Sequence, residues 1–179
     1  MNIFFRAFEL EDAEFINALR DNEVMESKIG GNKRFVSLAR ERKWIEDIIY
    51  GDSKEQIYLA ICENGSKDII GYSSISDIDH FNKSCSLSGI KLDVEFSKKG
   101  YGIQVIIMML RYVFEELGME RCTSICLENH VVMAKILERV GFHTEGLLRH
   151  SLFKNGAFQN QYLFSIIKAD YFERKKKLQ

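Results

Sequence analysis

The stretch YGIQVIIMMLRYVFEEL, Tyr101–Leu117, constrains this chain more than any other. Apolar residues stand at Ile103, Val105, Ile106, Ile107, Met108, Met109, Leu110, Tyr112, Val113 and Phe114. Wound into a helix they leave almost no polar face, and such a helix must be buried on several sides. A sheet and further helices are needed to enclose it. With 179 residues, a single domain over 1–179 can supply that core. Gly118 provides the C-terminal stop.

The flanking patterns predict what does the enclosing. Ile3–Phe8 reads as a first strand. Glu11–Arg20 reads as a helix with acids in its first turn and Ala13, Ile16 and Leu19 along one side. Residues 21–35 (DNEVMESKIGGNKRF) read as a loop or broken helix. Ser37 caps a second helix, in which Trp44/Ile48 and Ile45/Ile49 keep helical spacing. Gln56–Cys62, Ile69–Asp77 and Ser84–Leu92 read as strands, joined by hairpins at ENGSKD and DHFNKS. After the central helix come a strand, Arg121–Leu127, and a short helix, Val131–Val140, ended by Gly141. TEGLLRHSLF and FQNQYLFSII then form a hairpin through KNGA. Arg174–Lys177 is a charge run at a solvated helix end. The order β-α-α-β-β-β-α-β-α-β-β predicts an α/β (α+β) domain, with a mixed, mostly antiparallel sheet of about seven strands and about four main helices.

Charge and cysteine usage narrow the function. A net charge of −1 argues against a nucleic-acid binder. No apolar run approaches the ~18 residues of a membrane span, and MNIFFRAFELEDAEF lacks a signal-peptide layout, so a cytoplasmic location without membrane partners is expected. Cys62, Cys85, Cys122 and Cys126 form no CxxC pair. Cys122 and Cys126 fall on one face of their strand, and all four read as buried reduced thiols rather than a metal site.

The turn SKKGYG before the central helix admits two readings. A dinucleotide fingerprint needs glycine where Val105 stands, and Val105–Ile107 refuse the role of a nucleotide P-loop. A simpler anion site needs less. Gly100 and Gly102 let the backbone approach a pyrophosphate, with helix N-terminal N–H groups pointing outward and Lys98 and Lys99 adding charge. An ordinary turn leading into a core helix accounts for the same residues.

The stretch GIKLDVEFSKKGYGIQVIIMMLRYVFEELGMERCTSICLENHVVMAKILERVGFHTEGLLR resembles the GNAT superfamily of acyl-coenzyme A N-acyltransferases. It is most similar to the branch holding ribosomal-protein N-terminal, amino-sugar and polyamine acetyltransferases. The resemblance implies acetyl-CoA as cosubstrate, with Lys98, Lys99, Gly100, Tyr101, Gly102 and Ile103 around its pyrophosphate. It also implies a fourth strand that splays from the fifth at Ile90–Val94. There Ile90, Leu92 and Val94 would offer backbone groups to the cofactor, the Leu92 backbone near the thioester carbonyl. Three departures stand out. Ser97 occupies the position where the family usually has Gln or Arg. Asn129 stands one residue farther from Gly141 than the family asparagine does, so His130 fills the usual slot and either residue would meet the cofactor. Leu137 replaces the tyrosine that protonates the departing thiolate in many members.

Acetyl transfer to an amine asks for few groups. An ammonium titrating near ~10.4 must lose its proton, the oxyanion needs a fixed N–H donor, and a thiol of pKa ~8.5 leaves with weak help. Glu128, ending the fifth strand beside the cleft, and Tyr162, in the hairpin bordering the acceptor site, are the candidates for the base, and the acid must come from elsewhere or from water. Each also reads as a plain surface acid and a half-buried aromatic. His80, His143 and His150 read as turn or strand residues. Asn129 also reads as the N-cap of the Val131 helix. The expected activity is direct attack by a small-molecule or peptide amine in a ternary complex. Residues 21–35 and the late hairpin would shape the acceptor pocket. A nucleotide-linked amino sugar, its phosphates on Lys28, Lys33 and Arg34, and a protein N-terminus are the acceptors considered, and a homodimer is left open. The rival expectation is a non-catalytic acyl-CoA-binding sensor or subunit.

Overall fold

The computed structural model describes residues 1–97 and 99–177, with the side chains of Lys28 and Ser97 outside the description. Its strands are β1 (Ile3–Arg6), β2 (Ile57–Glu63), β3 (Ile69–Asp79), β4 (Ser84–Leu92), β5 (Arg121–Leu127), β6 (His143–Lys154) and β7 (Ala157–Ile167). Its helices are α1 (Asp12–Arg20), α2 (Glu23–Lys28), α3 (Leu38–Tyr50), α4 (Val94–Ser97), α5 (Tyr101–Arg111), α6 (Val131–Val140) and α7 (Lys168–Lys177). The strands form one sheet in the order β1-β2-β3-β4-β5-β7-β6. Among the described residues β4 and β5 run parallel, and every other neighbouring pair runs antiparallel.

Each face of the sheet carries its own core. On one face α5 and α6 cover the middle strands: Val105, Ile106, Met109 and Leu110 pack with Ile61, Ile75, Leu87, Cys122, Cys126 and Phe164. Being nearly all apolar, α5 meets the sheet, α6 and its own C-terminal extension, as burial on several sides demands. On the other face Ala13, Ile16 and Leu19 of α1 and Ile45 of α3 pack over Ala60, Ile69 and Tyr72. Phe8, Trp44, Tyr58 and Tyr72 make a contiguous aromatic group there, with ring centroids 5.2 to 6.2 Å apart. Below it the guanidinium of Arg20 donates to both oxygens of buried Glu41.

Several predicted elements are adjusted. The first strand stops at Arg6, because Phe8 turns away into the α1–α3 core. Residues 23–28 gain a helical turn capped by Asn22, whose side chain accepts from Met25 N at 3.0 Å. The central helix is α-helical only to Arg111 and continues as a π-turn over Tyr112–Glu116, closed by Leu117 N donating to Tyr112 O. The π-turn buries Val113 and Phe114 and leaves Glu115 to accept from Tyr171 and Lys175 of α7. β4 ends at Leu92, so Val94 opens α4 instead of extending the strand. The N-cap of α6 is His130, not Asn129. Ser37 does cap α3, accepting from Arg40 N. The late hairpin turns at Asn155–Gly156, both at positive φ, the backbone a tight type I′ turn requires.

Candidate active site

β4 and β5 are zipped at one end only. Their register runs Ser84–Arg121, Cys85–Cys122, Ser86–Thr123 and Leu87–Ser124, and stops. Hydroxyls reinforce this closed end: Ser86 Oγ lies 2.7 Å from Thr123 Oγ1, and Ser124 Oγ donates to Leu87 O at 3.3 Å. Beyond it, β4 stays paired to β3 as far as Leu92 and β5 stays paired to β7 as far as Leu127. The two strands therefore part, leaving the β5-facing backbone of Ile90–Leu92 without a strand partner among the described residues.

The sequence of β4 explains the parting. Between the pairs Ser74–Ser88 and Tyr72–Lys91, two β4 residues, Gly89 and Ile90, oppose the single β3 residue Ser73. This is a β-bulge, and a bulge bends and twists the strand that carries it. Gly89 sits at φ +66°, where a side chain would be strained. Gly71 completes the device: a Cβ there would lie 2.3 Å from Lys91 O and 2.9 Å from Leu92 Cα. β3 thus holds β4 by backbone contact just where β4 leaves β5.

After β4 the chain makes α4 and then turns at Gly100, φ +74°, into α5. The first turn of α5 is open. A Cβ built on Gly100 or Gly102 would meet nothing within 4 Å, so both backbones can be approached closely. Ile103 packs against the core and holds the helix start. Lys99 is moored: its ammonium pairs with Glu63 at 3.0 Å and lies 4.5 Å from the Phe96 ring centroid. The Tyr101 hydroxyl donates to the same carboxylate, and Tyr101 and Lys99 together hold Glu63 below its usual range. Lys98 lies outside the described residues.

The opposite bank is the end of β5. Glu128 is exposed and accepts from Asn160 Nδ2 at 3.0 Å, while its backbone N donates to Asn160 O. Asn160 Oδ1 in turn accepts from His150 N at 2.9 Å. Asn129 is exposed in the turn, and His130 N donates to Leu127 O at 2.9 Å. Tyr162 lies in β7 opposite Cys126 and Leu147, its ring 6.2 Å from Phe164. His80 bonds to Lys54 O at 3.1 Å, and His143 lies 3.8 Å from Asp170. All four cysteines are free and buried, with burial pushing Cys126 up to about 11. They are poor nucleophiles. Among the described residues no three His, Cys, Asp or Glu side chains converge on a metal position.

A third wall comes from two segments distant in sequence. Lys154, buried at the end of β6, donates its ammonium protons to Ile29 O at 2.9 Å and Gly31 O at 2.6 Å. Gly30 sits against Gln161 of β7. Residues 29–31 and the late hairpin thus meet on the α1–α3 face.

The parting parallel strands leave a cleft beside an open glycine turn at the start of a buried helix, and helix N-terminal N–H groups of this kind suit an anion. The acetyltransferase (GNAT) domain model matches residues 2–143. This chain belongs to the GNAT acetyltransferase family. It is an N-acetyltransferase drawing on acetyl-CoA. The GNAT relatives include the SPbeta prophage-derived uncharacterized N-acetyltransferase YokL of Bacillus subtilis, 25% identical over 95% of this chain and 92% of that protein. Another is spermidine N(1)-acetyltransferase of Escherichia coli K12, 22% identical over 98% and 91% of the two chains. The same GNAT fold appears in spermidine N-acetyltransferase from Vibrio cholerae in complex with CoA and spermine, with a TM-score of 0.86, 22% identity, and 96% and 98% coverage. No described helix of the GNAT domain is long and apolar enough to cross a membrane.

The candidate residues thus fall on two banks. Ile90, Leu92, Lys99, Gly100, Tyr101, Gly102 and Ile103 lie on β4, the turn and α5, with Val94 in α4 between them; Glu128, Asn129, His130 and Tyr162 lie on β5, the following turn and β7. Sequence reasoning missed Glu63, Gly71, Lys91 and Lys154. A glycine inside a strand was the available signal for Gly71. The others are long-range partners with no local signature.

Proposed function

We propose that this enzyme transfers acetyl from acetyl-CoA to a primary amine by direct attack in a ternary complex. The observation that carries the reading is the parting of β4 from β5 beside the open first turn of α5. The pyrophosphate would rest on the N–H groups of Gly100–Ile103, and the thioester carbonyl on the Leu92 N–H. Glu128, oriented by Asn160, would take the proton from the ammonium. Nitrogen then forms its bond to the acyl carbon, and the carbon–sulfur bond breaks as Tyr162 protonates the thiolate. The second proton the nitrogen sheds on becoming an amide restores the phenol, and Glu128 releases its proton to solvent. Leu137, a buried core side chain, carries no ionisable proton to serve as that acid.

The acceptor proposed is an amino sugar carried on a nucleotide, with a protein N-terminus as the alternative. Lys33 and Arg34 are exposed and make no ion pair among the described residues. Phe35 beside them is 90% exposed, a face on which a base could stack. The three follow the segment that Lys154 clamps. A thiol-release assay over nucleotide-linked amino sugars, peptides with free N-termini and polyamines tests the reading. Release dependent on an amine supports it. Coenzyme A binding without release on any amine would instead make the chain a non-catalytic binder.

A further inference from the structure

Lys91 is the charged residue in the parted half of β4, Ser88–Leu92. It stands directly opposite Tyr72 on β3, and its ammonium lies 5.4 Å from that ring's centroid. Ile90 and Leu92 pack toward the α5 core, so Lys91 points to the α1–α3 face. No carboxylate lies within ion-pair distance of it among the described residues. Buried Glu41 is already taken up by Arg20 on both oxygens. Burial first, then the repulsion of Arg20, push the amine below its usual range against the through-space attraction of Glu26 and Glu41. A largely desolvated cation with a ring face for company is costly unless something anionic completes it.

Its position says what that is. α5 and α6 close one face of the cleft, so an amine must arrive from the other. On that face Ile125 of β5 is half exposed beside Leu163 of β7, and residues 29–31 are strapped down by Lys154. Lys91 stands on the near bank, one residue from Leu92.

Resting on the transferase reading above, we propose that Lys91 binds an acidic group of the acceptor, carboxylate or phosphate, and so selects anionic amines over polyamines. The ammonium would exchange its ring contact for a charge-assisted bond that aligns the amine with the cleft.

The test uses the full chain with acetyl-CoA and compares kcat/KM within matched pairs. Glucosamine 6-phosphate against glucosamine reads phosphate; aspartyl-alanine amide against asparaginyl-alanine amide reads carboxylate; spermidine is the polycation. At least one anionic member should exceed its neutral partner by about tenfold, spermidine should be poorest, and Lys91→Met should cut the ratio by about tenfold, chiefly through KM, while Lys91→Arg keeps most of it. Transfer without an anionic preference, or a ratio unmoved in Lys91→Met, overturns the role of Lys91 and leaves the transferase reading standing. Coenzyme A binding with no transfer to any amine overturns both.

Discussion

The ammonium of Lys154 donates to the carbonyl oxygen of Ile29 at 2.9 Å across 125 residues of sequence. With its second bond to Gly31 O, it ties the irregular segment after α2 to the tip of the β6–β7 hairpin. Lys154→Met keeps the apolar stem and removes both bonds. The variant should lose about 1–3 kcal/mol in urea unfolding and raise the KM for the amine more than that for acetyl-CoA. An unchanged unfolding midpoint would show that the clamp contributes nothing.

Gly102→Val places a branched side chain where the carrier's diphosphate would lie. Because a Cβ there meets nothing within 4 Å, the fold should tolerate it and the melting temperature should move little. Coenzyme A affinity measured by calorimetry should fall about tenfold or more as backbone approach is blocked. Equal affinity would move the pyrophosphate site elsewhere.

Glu128→Gln retains an oxygen for Asn160 Nδ2, now 3.0 Å away, and loses the proton acceptor. Turnover should drop by about 10²–10⁴-fold, the usual contribution of a general base. Coenzyme A affinity should stay constant. Wild-type kcat would dismiss Glu128 from the chemistry.

The pair Arg121–Glu145 gives a pH signature. Arg121 first, then the Ser165 hydroxyl, hold Glu145 at about 2, against an ordinary value of 4.5. Folding thus favours the ionised carboxylate. Its stabilising contribution is complete above pH 4.5 and fades as pH falls toward 2. Glu145→Gln should flatten the stability profile within that window and leave its shape above it. A parallel profile in urea midpoints across the range would count against the pair.

How far the fold could be read in advance differs by element. Hydrophobic period placed α1, α3, α6 and all seven strands, because each buries one recognisable face. The π-turn at Tyr112–Glu116 was not legible, since its residues continue the helical pattern, while the contact it makes, Phe114 stacked on Tyr171, lies far off in sequence. The parting of β4 and β5 was expected from resemblance alone. Its physical cause, the bulge at Gly89–Ile90 set by Gly71, is a cross-strand relation without local period. Lys99 shows the same limit: the sequence offered it as charge for a phosphate, and the fold shares that charge with Glu63, from a strand 36 residues earlier. The electrostatics of the site therefore depend on pairings that three-dimensional proximity creates.

Among the described residues, four strand pairs near Ser84 and Arg121 make the ladder that joins the two halves of this sheet. The halves resemble the jaws of a clothes-peg, with the hydroxyls of Ser86 and Thr123 at the spring. A ligand gripped at the far end would stand in for a missing strand, offered backbone groups by both jaws. An occupied molecule should therefore be a stiffer body than an empty one, and cargo and scaffold are in that sense the same object.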